Sequence, residues 1–159
     1  MGFVDIKLSD VKLEKPAGPP AGKYVFQLMP GAEVRVNKFT GSEELNLSAS
    51  ITEGEFAGRR VFWTYPDPQA VGKNSGKPFT WSLQAMKKLE ISLGLDAFDG
   101  ESYTDYFNRA AQSNNNRFGG SLVPETRKDK ETGEYVPFIR TGETEPKNVF
   151  SIFTVHAAA

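Results

Sequence analysis

The chain has 159 residues, 38% hydrophobic and 25% charged, with a formal net charge of -1, which suits one folded domain with an appended segment rather than a disordered chain. With no cysteine and one histidine, His156, disulfides, thiolate nucleophiles and cysteine-held zinc or iron–sulfur centres are excluded, and a cytoplasmic setting is expected. The balanced charge announces no polyanion, no apolar run approaches the ~18 residues of a membrane span, and residues 1–10 lack the apolar core of an export signal.

Residues 9–22, SDVKLEKPAGPPAG, hold three Pro and two Gly, which break any regular element. Residues 1–22 are therefore expected to be an arm leading into a domain at 23–141. Tyr24, Phe26 and Leu28 alternate with Val25, Gln27 and Met29, the period of a strand, and Pro30-Gly31 marks a turn. Val34 and Val36 continue the alternation. After Thr40-Gly41-Ser42 it resumes through Leu45, Leu47, Ala49 and Ile51, which predicts a long antiparallel pairing. Arg59 to Tyr65 predicts another strand, with Val61, Trp63 and Tyr65 facing one way and Arg60, Phe62 and Thr64 the other, stopped by Pro66 and Pro68.

After a polar loop at 69–78, Leu83, Met86, Leu89 and Leu93 recur at helical spacing. They predict a helix over Thr80 to Leu93, capped by Thr80 or Ser82 and ended by Gly94. A shorter helix is expected over Thr104 to Ala111, with Thr104 or Ser102 as cap and Tyr106, Phe107 and Ala110 on one side. Arg117 to Val123 reads as a strand. In the charged hairpin RKDKETGEY the turn falls at Thr132-Gly133, and Tyr135 to Arg140 is expected to return along the preceding strand. Within the C-terminal segment 142–159, Val149 to Val155 reads as a closing strand or as an arm on a neighbouring copy, so homo-oligomerisation stays open. Three strands, a helix and two strands are the element order of an OB-fold: mainly β, a five-stranded Greek-key barrel with a helix, here plus a short second helix, between strands 3 and 4.

Catalytic motifs do not assemble. Gly72-Lys73-Asn74-Ser75-Gly76-Lys77 is one residue short of phosphate-loop spacing, and Pro78 stands where Ser or Thr would hold magnesium. His156 has no nucleophile partner, and the acid pairs Glu43-Glu44 and Glu53/Glu55 read as solvated turns. No enzyme activity, cofactor or metal is expected.

The constellation that suggests a function is cations interleaved with aromatics. Arg59, Arg60, Phe62 and Trp63 lie on the third strand, Arg35 and Lys38 at the end of the first, and Arg117 with Phe118 on the fourth. Lys73 and Lys77 lie in the polar loop, and Arg127, Lys128 and Lys130 in the hairpin. Such sets hold single-stranded nucleic acid, because cations follow phosphates while rings stack on bases at ~1–3 kcal/mol per base. The bland alternative is that Trp63 belongs with Val61 and Tyr65 in the core, and that Glu125, Asp129, Glu131 and Glu134 nearly cancel the hairpin's charge.

The run ITEGEFAGRRVFWTY, followed by WSLQAMKKLEISLGLD, resembles a family of bacteriophage single-stranded DNA-binding proteins encoded beside recombination and replication genes. Gly54, Gly58, Arg59, Arg60, Val61, Phe62, Leu93, Gly94 and Leu95 carry the resemblance, which spans roughly residues 20–140. It implies an OB-type core, sequence-tolerant coating of single-stranded DNA in phage replication or recombination within the host cytoplasm, and partnership with the enzymes of those processes. Many such proteins end in an acidic tail, whereas this sequence ends FSIFTVHAAA, which puts recruitment of partners through that tail in doubt. The competing reading is a non-catalytic protein-interaction module that uses the barrel as a scaffold.

Overall fold

The structure, a computed structural model, describes residues 7, 18–70 and 78–158. The alternating runs become strands: β1 (Gly22–Leu28), β2 (Glu33–Val36), β3 (Glu43–Ile51) and β4 (Arg60–Pro66). The helices α1 (Thr80–Leu93) and α2 (Tyr103–Ala111) follow, then β5 (Arg117–Pro124), β6 (Thr126–Lys128), β7 (Tyr135–Pro137) and β8 (Asn148–Ala157). The protein is mainly β, an antiparallel six-stranded sheet in the order β2-β3-β1-β5-β8 with β4 also on β3, and a separate two-stranded ribbon of β6 and β7. The Pro30-Gly31 turn bends the chain so that β1 and β2 share one edge of β3, opposite Ala49–Ile51 and Glu43–Asn46, while β4 takes the other edge.

Two expectations are corrected. The sheet is six-stranded and its hydrogen-bonded ladder does not close. Instead β4 and β8 meet through side chains, the Trp63 and Phe150 ring centroids lying 4.5 Å apart. The second correction concerns the segment from Tyr135, which pairs with β6, from Lys128↔Tyr135 to Thr126↔Pro137. The place beside β5 belongs to β8, from Phe118↔Ala157 to Pro124↔Asn148. Burial decides the competition, since β8 delivers Phe150 and Val155 to the core, whereas Tyr135, Val136 and Ile139 stay exposed. The C-terminal segment thus completes this chain's own sheet.

Phe26, Phe118, Phe150 and Trp63 form an aromatic centre, with Phe26 and Phe118 stacked at 5.6 Å and Phe150 set edge-on to both. Ala85, Met86, Leu89 and Leu93 from α1, and Tyr106, Phe107 and Ala110 from α2, cover it. Packing of β8 on β5 depends on bare backbone. A Cβ at Gly119 would sit 2.1 Å from the His156 ring, and one at Gly120 3.0 Å from the Phe150 ring.

The sequence places α1 correctly but not its cap. Phe79 is the N-cap and makes no side-chain cap bond. Ser82 is buried and donates to the Pro66 carbonyl at 2.7 Å, tying α1 to the end of β4. Ala85 takes an inward position and Leu83 is half exposed, so the buried stripe is rotated from the all-leucine face. Ser102 caps α2 by accepting from the Asp105 amide. Arg109 clamps this region: it bonds Glu101 at 2.7 and 2.9 Å, donates to the Asp96 carbonyl, and lies 3.8 Å over the Phe98 ring. These bonds, together with the Phe98 amide, hold the Glu101 carboxyl down at about 2. No described helix is long and apolar enough to cross a membrane.

Candidate nucleic-acid interface

The register of β4 on β3 builds the site. Trp63 stands opposite Leu47 and Tyr65 opposite Leu45, whereas Arg60 stands opposite Ser50, Phe62 opposite Ser48 and Thr64 opposite Asn46. Because alternate residues share a face, the first pairs form core and the second form a polar outer floor. Trp63 is 7% exposed and Phe62 is 70% exposed. Ser48 is too small to cover the Phe62 ring, which stays open to solvent with the Arg60 guanidinium 5.9 Å from its centroid. Arg60 also donates to the Ser48 hydroxyl at 3.4 Å.

Beside Phe62 runs a groove of about 470 Å³ lined by Glu33, Arg35, Asn46, Ser48 and Thr64. That volume lies within the ~300–1,000 Å³ of ordinary ligand sites. Arg35 is ion-paired with Glu33 across the exposed surface, a contact that salt and competing anions screen readily. The Gly31 end of the groove is fixed by Asn108 of α2. Its Oδ1 accepts from the Gly31 and Ala32 amides, both at 3.0 Å, and its Nδ2 donates to the Ala32 carbonyl at 2.8 Å.

Of the cations and rings singled out in the sequence, the fold brings Arg35, Arg60 and Phe62 together. Trp63 is corrected to a core residue: it faces Leu47, packs on Phe118 and Phe150 and is 7% exposed, reaching the groove only from its buried floor. Trp63 Nε1 and the Tyr65 hydroxyl make no full hydrogen bond, and burial pushes the Tyr65 hydroxyl well above its usual pKa, only partly offset by the Trp63 N–H. Phe118 is likewise buried. Arg117 belongs to the same outer row as Gln27, Ser50 and Arg60 but lies three strands from Arg60. It lines a separate hollow with Thr52, Glu53 and Asn115. Arg59 precedes β4, its carbonyl accepting from the Ile51 amide, and Lys38 lies in the turn after β2 rather than on a strand.

Arg127, Lys128 and Lys130 are exposed on the ribbon, Arg127 lying 3.8 Å over the Phe138 ring and Lys128 opposite Tyr135. The ribbon is tied to the sheet at Glu125, whose amide donates to the Lys147 carbonyl and whose carboxylate pairs with Arg140. Lys73 and Lys77 lie outside the described residues.

The sequence reading set Thr64 on the face of Arg60 and Phe62 but overlooked the rest of the small polar floor, Asn46, Ser48 and Ser50, although their alternation with Leu45, Leu47 and Ala49 was its signal. It also overlooked Phe39, 92% exposed beside Lys38, and Tyr135, 73% exposed opposite Lys128. Comparison of the chain with protein-family models, curated proteins and solved structures finds no match.

Proposed function

We propose that the protein is a non-catalytic, sequence-tolerant single-stranded DNA-binding protein built on a partly open OB-type barrel. Unpaired bases stack on Phe62, and Arg60 and Arg35 follow the phosphates. The observation that carries the reading is the solvent-open Phe62 ring beside the Arg60 guanidinium, at the rim of a polar groove. The OB-type reading is supported by β1 bridging β3 and β5, by β8 following β5, and by the helices inserted between β4 and β5. The likeness of Gly58-Arg59-Arg60-Val61-Phe62 to the phage family extends the proposal to coating single strands during phage replication or recombination.

A net charge of -1 leaves the attraction local. Each phosphate contact adds roughly 0.7 to the salt slope on a single strand, while stacking on Phe62 adds a part that salt does not screen. Fluorescence anisotropy with a labelled oligo-dT and a matched duplex, titrated across salt concentration, tests this. Single strands are expected to bind with a shallow salt slope and duplex much more weakly, because paired bases expose no free faces. No oligo-dT binding at low salt, or equal binding of duplex, would overturn the reading.

A further inference from the structure

The groove between α1 and β8 is walled by Trp81, Ile91 and Phe153, and its cations are already engaged, Lys87 by Glu90 and Lys88 by the Phe153 carbonyl. The outer face of the sheet is different. From β4 a transverse row runs Arg60, Ser50, Gln27 and Arg117, each opposite the next on the neighbouring strand. Three strand spacings, about 14 Å, separate the two arginines. Only Ser50 and Gln27 stand between them in that row, so the path from one arginine to the other is polar and free of large side chains.

At the far end of that row the sheet carries a ring. His156 of β8 stands opposite Gly119 of β5, which shares its face with Arg117. A Cβ added at Gly119 would lie 2.1 Å from the His156 Cε1 and 2.6 Å from each ring nitrogen. A point so close to all three atoms lies over the ring and not beyond its edge, so the imidazole rests face down on bare glycine backbone. Its Nδ1 lies 2.9 Å from the Ala157 carbonyl oxygen, which fixes its orientation, and the residue is exposed on its other side. Such a ring is a platform for a base. It borders a hollow of about 320 Å³ that adjoins the Arg117 hollow, of about 400 Å³, at Val25, Glu53 and Ala158. Across the two hollows the cations Lys23 and Arg117 face one acid, Glu53, and among the described residues neither cation is ion-paired.

We propose that a single strand resting on Phe62 and Arg60 continues over β3 and β1 to a second nucleotide station, where a base stacks on the His156 ring and Arg117 and Lys23 take the phosphates. The inference rests on the DNA-binding reading of β4 and lengthens its footprint. At the ~3.4 Å rise of a stacked strand the row from Arg60 to Arg117 spans about four nucleotides, and fewer when the strand is stretched. Both stations therefore fit within the ~4–16 nucleotides of one OB-type site. Two unpaired cations beside an open ring match the phosphate and base of an unpaired nucleotide, whereas the paired bases of a duplex leave the ring unused.

Fluorescence anisotropy on the full chain, with a labelled oligo-dT of about 12 nucleotides, tests it. His156→Ala is expected to lower affinity about fivefold or more, the loss of one stacked base, and His156→Phe to restore it. Arg117→Ser is expected to lower affinity and to reduce the salt slope by roughly 0.7. Both side chains are exposed, so these variants are expected to melt with the parent when followed by circular dichroism. Parent-like binding by His156→Ala or Arg117→Ser, beside a parent that loses affinity on Phe62→Ala, would overturn the second station alone. Equal losses in His156→Ala and His156→Phe would overturn stacking on this ring. If the parent binds no oligo-dT, the reading of β4 fails and its extension fails with it.

Discussion

The two faces of β4 carry the same kind of residue to opposite ends. Phe62 and Trp63 are adjacent in sequence, but Trp63 meets Leu47 and joins Phe118 and Phe150, while Phe62 meets Ser48 and is left uncovered. An aromatic side chain is core or contact surface according to what stands across from it in the next strand. The inner ring is buried by the fold, whereas the outer one keeps a face open to solvent.

The contrast breaks most visibly if the inner ring is removed. Trp63→Ala is expected to cost about 3–5 kcal/mol of stability by opening a cavity, measured by urea denaturation, while molecules that remain folded keep their affinity for oligo-dT. Asn108→Ala removes three hydrogen bonds to the β1–β2 turn and is expected to cost about 2 kcal/mol of stability, at ~0.5–1.5 kcal/mol per bond. It should also weaken DNA binding, because that turn walls the groove. Phe62→Ala reverses the Trp63 pattern: stability within about 0.5 kcal/mol of the parent, and affinity for oligo-dT lower by about 1–3 kcal/mol, roughly five- to 150-fold. Arg60→Glu is expected to lower affinity and reduce the salt slope by roughly 0.7.

The smallest effect at neutral pH separates stability from binding through acid. Glu101 sits at about 2 in the fold, below its ordinary 4.5, because Arg109 bonds its charged form. A depressed carboxyl stabilises the fold above its unfolded pKa and loses that contribution as pH falls toward the folded value. Acid denaturation of the wild type should therefore include a component between about pH 4.5 and pH 2 that is missing from Glu101→Gln, followed by circular dichroism.

Local pattern made much of this legible in the sequence. The period-2 alternation gave the two faces of β4, and leucine spacing closed by Gly94 gave α1 its bounds. Pairing between distant strands was not legible. Tyr135 to Arg140 and Val149 to Val155 both read as strands, and only the burial of Phe150 and Val155 against the finished core decides which one lies beside β5. Asn108 could not be singled out either, since its three bonds reach a turn 76 and 77 residues away. Among the cations, spacing could not show that Arg117 shares a face with Arg60 yet opens on a different hollow.

Where an unpaired base rests can be read directly. Photo-crosslinking of an oligonucleotide carrying 5-iodouracil, followed by mass spectrometry of the protein's peptides, should yield adducts centred on Phe62 in the β4 peptide, lost in Phe62→Ala while Trp63 stays unmodified. Adducts confined to the α1–β8 groove, or on Trp63 in place of Phe62, would contradict the assignment of the outer face of β4 as the DNA-binding surface.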